Sequence, residues 1–96
     1  DPKEVEQILL LHPTIQEALV LGIPDPKWGT MVIAVLIATT KQLSPSKNQI
    51  RNFCKRYLSA YKVPKKIIFM NSFPRNQMGK LQLNEILSII DPTKNK

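Results

Sequence analysis

The segment "ALVLGIPDPKWGTMVIAVLIATT", residues 18–40, decides the fold. It opens on a short apolar run, Ala18-Leu19-Val20-Leu21, and closes on a richer one with Val32, Ile33, Val35, Ile37, Thr39 and Thr40. Side chains branched at Cβ crowd a helix and suit a pleated surface, so both runs read as strands, over residues 15–23 and 31–40. Between them stands Gly22-Ile23-Pro24-Asp25-Pro26-Lys27-Trp28-Gly29, which carries the only tryptophan and is longer than a two-residue hairpin requires. The expected arrangement is a pair of antiparallel neighbours joined by a long connection.

Outward from this pair the chain reads as helices and one more strand. Asp1-Pro2-Lys3-Glu4 is a helix start, with an acidic cap, a proline suited to the first turn and Glu4 three residues on. Val5, Ile8 and Leu9 continue it, and His12-Pro13 stops it, with His12 expected as a helix C-terminal residue. Ser44-Pro45 opens a second helix, in which Ile50, Phe53, Cys54, Tyr57, Leu58 and Tyr61 fall on one continuous apolar face. Tyr61 is therefore expected to complete a core stripe. Residues 66–73 read as a third strand, and Leu83, Ile86, Leu87 and Ile90 return to helical spacing until Asp91-Pro92. The order is α-β-β-α-β-α, a small α+β domain with a three-stranded sheet flanked by three helices. A single domain is expected, folded over 1–91 with a polar tail at 92–96.

With 96 residues the chain is long enough for one modest core. Its 43% hydrophobic and 22% charged residues are those of an ordinary globular domain. The net charge of +7 suggests a polyanionic partner: nucleic acid, a membrane surface or a phosphate-rich small molecule. The strands lack the aromatic pairs on which RNA bases stack, and Phe69 and Phe73 read as core, so a small nucleic-acid-binding module is the weaker alternative. One cysteine, Cys54, and one histidine exclude an intrachain disulfide and a multi-cysteine zinc site, and no metal ligands are expected. The longest apolar stretch, residues 31–38, falls far short of the ~20 residues that span a bilayer. The chain opens on acidic and basic residues rather than a basic-then-apolar leader, which predicts a cytoplasmic protein.

The remaining question is "FPRNQMGK", residues 73–80, which sets Pro74, Gly79 and Lys80 in order at the mouth of the last helix. A plain turn needs no lysine. Either Lys80 is a solvated surface cation or the loop exists to present it.

Three stretches taken together resemble the C-terminal domain of the adenylate-forming enzymes: acyl-CoA synthetases, non-ribosomal peptide adenylation domains and luciferases. They are "GIPDPKWG" at residues 22–29, "LSAYKVPKKI" at 58–67 and "FPRNQMGK" at 73–80, in this order and with these intervening helices. The resemblance runs from Pro2 to about Ile90, and "PKEVE" is similar to the tail of the family's hinge motif. It implies a mobile lid whose large N-terminal domain is absent, so the isolated chain is expected to be inactive.

The resemblance also assigns roles. Lys80 is the catalytic lysine of acyl-adenylate formation, Gly79 lets its backbone approach closely, and Pro74 stiffens the start of the loop. Lys65 and Lys66, beside Pro64, either contact the nucleotide end of coenzyme A or merely bound a strand. Trp28 and Gly29 shape a loop facing the partner domain. Substrates and cofactors are a carboxylic acid, ATP with Mg2+, and coenzyme A, bound mainly by the N-terminal adenylation domain. Thr30 stands where relatives commonly place a glutamate or glutamine. Leu81-Gln82-Leu83 stands where peptide adenylation domains place an aspartate-arginine pair, which favours the acyl-CoA synthetase branch over a peptide-synthetase lid.

Overall fold

The computed structural model describes residues 1–27 and 29–90. The expected order holds: α1 (Pro2–Leu9), β1 (Ile15–Asp25), β2 (Gly29–Ala38), α2 (Lys47–Lys55), β3 (Lys66–Phe69) and α3 (Leu83–Ile90), with 3-10 turns at Lys41–Leu43 and Ala60–Lys62. The sheet order is β1-β2-β3. β1 runs antiparallel to β2, with Leu19 opposite Val35 and Val20 opposite Ala34. β3 runs parallel to β2, with Ile67 opposite Ala34 and Phe69 opposite Leu36.

β2 is central and apolar along its length because both faces are covered. Ala34 and Leu36 face one layer with Val5 and Leu9 of α1, Ile50 and Cys54 of α2, and Val20 and Ile67. Ile33, Val35 and Ile37 face the other layer with Phe73 and with Ile86 and Ile90 of α3. The period-2 alternation of the strand thus sorts its side chains between two cores.

The boundaries depart from the sequence reading in several places. The connection between β1 and β2 is short: residues 22–25 continue β1, and Asp25 pairs with Gly29. Pro24 is tolerated because β1 is an edge strand, where a missing N–H breaks no ladder. The turn closes on Gly29, whose φ of +83° is left-handed backbone that glycine adopts without strain, while the Asp25 carboxylate accepts the Lys27 N–H at 2.7 Å.

The second helix is capped by Ser46 rather than Ser44. Ser46 Oγ accepts the Gln49 N–H at 3.1 Å and Gln49 Oε1 accepts the Ser46 N–H at 2.8 Å, so two orphan donors are satisfied reciprocally. This helix stops at Lys55, so the helical phase that placed Tyr57 and Tyr61 in the core is lost. Leu58 is buried, but Tyr57 is 52% exposed and Tyr61 75% exposed. Tyr61 is not a core residue. β3 ends at Phe69, and Phe73 is buried beyond it under α3 rather than within a strand.

His12 lies past α1, which is capped at Leu10. Its Nδ1 accepts the Thr14 N–H at 3.2 Å, and its ring meets Phe53 edge-on at 5.0 Å between centroids, so it fixes a loop rather than a helix end. Asp1 caps α1 as expected, accepting the Lys3 N–H at 3.1 Å. The Glu4 carboxylate turns instead to Lys62 Nζ at 2.8 Å. That contact lowers the Glu4 pKa and raises that of Lys62, through the shared hydrogen bond first and the opposite charges second. Cys54 is buried as expected, and burial pushes its thiol up to about 11, which keeps it protonated and unreactive. The expected helix stop at Asp91-Pro92 and the polar tail lie outside the described residues.

Candidate functional site

The lysine loop is a closed, hydrogen-bonded ring rather than an open excursion. Gly79 N–H donates to the Asn76 carbonyl at 2.9 Å and Asn76 N–H donates to the Lys80 carbonyl at 2.9 Å, while Arg75 and Leu81 bridge as an antiparallel pair. Gln77 and Met78, between them, have negative φ, and Gly79 has φ +83°. This is the signature of a three-residue hairpin loop that closes on a left-handed residue. An added Cβ at Gly79 meets nothing within 4 Å, so within this chain the glycine is required by conformation and not by crowding. Close approach of its backbone to anything outside the chain is a separate matter.

The ring is tied at its base. Pro74 is half-buried behind the buried Phe73, and its carbonyl accepts the Gln82 N–H at 2.9 Å. Arg75 donates from Nη1 to the Gly79 carbonyl at 3.1 Å and from Nη2 to Glu17 Oε1 at 3.2 Å, which ties the loop to β1. Lys80 itself is exposed, and among the described residues no hydrogen bond or ion pair engages its Nζ. A fixed backbone thus carries a fully available cation.

Lys65 and Lys66 stand elsewhere. Lys65 N–H donates to the Val32 carbonyl at 2.9 Å, and its own carbonyl accepts from Arg51 Nη2 at 3.0 Å. Lys66 is exposed and opens β3 opposite Ile33. Lys65 lines an open cleft of about 560 Å³ together with Gly29, Thr30, Val32, Ala60 and Tyr61. Trp28 lies outside the described residues.

The strand register separates the two groups. Glu17, which holds the lysine loop, pairs with Ile37 near one end of the hairpin, while Gly29 pairs with Asp25 at its other end. At about 3.3 Å per residue the run of β1 from Glu17 to Asp25 covers roughly 26 Å. The domain therefore carries a cationic loop toward one end of the sheet and, on the hairpin-turn side, a cleft lined by Lys65, whose N–H meets β2 at Val32, five residues or roughly 16 Å along the strand from Ile37.

Sequence reasoning missed Tyr61 as a cleft residue, because an apolar periodicity was continued past the end of α2. It also missed Asn76, Arg75 and Glu17, although an asparagine three residues before a glycine is a turn signal that would have flagged Asn76. Among the described residues no group of His, Cys, Asp or Glu is placed to hold a metal ion, and no helix is long and apolar enough to cross a membrane.

Residues 4–80 match the AMP-binding enzyme C-terminal domain, and the chain belongs to that family. Among curated relatives it is 39% identical over 80 residues to the long-chain-fatty-acid–CoA ligase FadD13 of Mycobacterium tuberculosis, covering 83% of this chain and 16% of that protein. It is 37% identical over 90 residues to a 2-succinylbenzoate–CoA ligase of Bacillus cereus, covering 94% of this chain and 18% of that protein. Among solved structures it superposes on a Mycobacterium tuberculosis fatty acyl CoA synthetase with a TM-score of 0.81 at 36% identity, over 96% of this chain and 18% of that one. The Bacillus subtilis o-succinylbenzoate CoA synthetase, solved with its acyl-adenylate intermediate, gives a TM-score of 0.75 at 38% identity, over 88% of this chain and 17% of that one. The chain thus spans less than a fifth of the length of these relatives.

Proposed function

We propose that this chain is the C-terminal lid of a cytoplasmic, AMP-forming acyl-CoA synthetase, presenting Lys80 for acyl-adenylate formation and its opposite end for thioester formation. The carrying observation is that Lys80, unpaired on a closed loop at one end of the sheet, is set apart along the strands from the cleft that Lys65 lines together with Gly29 and Thr30 of the hairpin-turn end. Membership of a family whose similar relatives are CoA ligases supports the same reading.

In the first half-reaction a carboxylate oxygen attacks the α-phosphate of ATP and pyrophosphate leaves. An anion approaches an anion, so the barrier falls mainly through positioning and through cations placed where charge gathers. Lys80 supplies such a cation between the acid and the α-phosphate. In the second half-reaction the coenzyme A thiol attacks the adenylate carbonyl and AMP leaves. The lid then presents its other end, and Lys65, with Lys66 beside it, attracts the nucleotide phosphates of coenzyme A. Gly29, which closes the hairpin turn, meets the N-terminal domain. ATP arrives with Mg2+, but the described residues offer no ligand group for the metal and no step passes through it. Among the described residues α1 and α2 pack on one sheet face and α3 on the other, which disfavours the sheet as a platform for stacking nucleic-acid bases.

The intact enzyme tests this with two assays, acid-dependent ATP–pyrophosphate exchange and coenzyme A-dependent AMP release. A mobile ammonium paired with a phosphate contributes mostly binding. Lys65→Ala is therefore expected to raise the apparent KM for coenzyme A several-fold and leave exchange nearly unchanged. Equal losses in both assays would argue against a coenzyme A contact at Lys65. An intact enzyme that exchanges pyrophosphate with no carboxylic acid would sink the proposed function.

A further inference from the structure

We propose that Asn76 is a positioning residue for Lys80, its side-chain oxygen serving as the internal strut of the lysine loop. The inference rests on the proposed role of Lys80 and extends it to a residue that never meets the substrate. Asn76 Oδ1 accepts the Met78 N–H at 2.9 Å and the Lys80 N–H at 2.9 Å. The Asn76 N–H donates to the Lys80 carbonyl at 2.9 Å, and Gln82 Nε2 donates to that same carbonyl at 2.9 Å. Both backbone polar groups of Lys80 are therefore held, one of them by the Asn76 side chain.

The chemistry favours asparagine at this position. A short side chain with a carbonyl at this reach reproduces a backbone acceptor and folds the chain into an Asx-turn. Without it, the Met78 and Lys80 N–H groups turn to water and the peptide between Gly79 and Lys80 is released to rotate. Gly79, with no Cβ and nothing within 4 Å of where one would lie, does not resist that rotation. The direction of the Lys80 Cα–Cβ bond is then lost, although the lysine and its charge remain. Since Asn76 is exposed and its side-chain hydrogen bonds to the Met78 and Lys80 N–H groups stay within the loop, global stability is expected to change little.

The test uses the intact enzyme, with pyrophosphate exchange for the first half-reaction and thioester formation from supplied acyl-adenylate for the second. Displacing a reacting group by about 1 Å costs up to ~10²-fold. Asn76→Ala is expected to lower the exchange kcat by about 10-fold or more, with thioester formation and melting temperature nearly unchanged. Asn76→Asp keeps the acceptor oxygen and is expected to restore most of the rate. In the Lys80→Ala background Asn76→Ala is expected to have no further effect, because a strut matters only for what it holds. Unchanged exchange in Asn76→Ala, equal loss in both half-reactions, additive losses in the double variant, or unfolding at assay temperature would each overturn the inference. If Lys80→Ala itself leaves exchange intact, the role of Lys80 fails and takes this inference with it. If only Lys80→Ala impairs exchange, Lys80 keeps its role and Asn76 loses its own.

Discussion

Lys80→Ala in the intact enzyme is expected to lower acyl-adenylate formation by about 10²–10³-fold, the usual loss when one preorganised electrostatic group is removed. Supplied acyl-adenylate is still expected to become thioester at a near-normal rate. The asymmetry follows from geometry: a loop tied through Arg75 to Glu17 cannot remain at the α-phosphate while the far end of β1, roughly 26 Å away, faces the same site. Acetylation of Lys80 deletes the charge and is expected to act like the substitution. Because the side chain is exposed and, among the described residues, no hydrogen bond or ion pair engages its Nζ, the melting temperature is expected to stay put. Near-normal exchange in this variant would reduce the loop to an ordinary turn.

Leu36→Ala is expected to have the largest effect on stability. Leu36 is 0% exposed in the middle of β2, opposite Ala18 on one side and Phe69 on the other, in the layer beneath α1 and α2. Truncation removes its buried methyl groups and leaves a void, a change that costs about 2–5 kcal/mol in well-packed cores. A domain of this size has only about 5–15 kcal/mol in total. The denaturant midpoint of the isolated chain is therefore expected to fall steeply, with the slope of the transition unchanged. A shift below about 1 kcal/mol would mean that Leu36 does not sit at the centre of a close-packed layer.

Much of this molecule is legible in its sequence, for physical reasons that differ by element. The unbroken apolar run of β2 announces a strand covered on both sides, since an exposed face would alternate. The cap and proline at Asp1-Pro2 announce α1, and Pro74 and Gly79 announce the loop that carries Lys80. Other features depend on facts that local pattern does not carry. Pro24 looks like a strand breaker, yet it is harmless because β1 lies at the sheet edge, and edge position is a tertiary property. The end of α2 has no glycine or proline to mark it, and Tyr61 still falls at helical spacing although the helix has stopped at Lys55. The parallel pairing of β3 beside β2 follows from the α2 crossover and not from either strand alone. The Glu17–Arg75 tether joins residues far apart in sequence, and only the folded hairpin brings them together.

The central claim is that one domain turns opposite ends toward one site in succession, and distances report this most directly. Single labels are placed at Gln77→Cys in the lysine loop or at Lys27→Cys in the hairpin turn, each paired with a fixed label beside the nucleotide site of the N-terminal domain. Cys54 is buried, with its thiol pushed up to about 11, and does not compete for labelling. With ATP and the acid bound, the Gln77 label is predicted to lie close to the fixed label and the Lys27 label far from it. With AMP and coenzyme A bound the order is predicted to reverse, by a change comparable to the roughly 26 Å run of β1. The same end facing the nucleotide in both states would contradict the account.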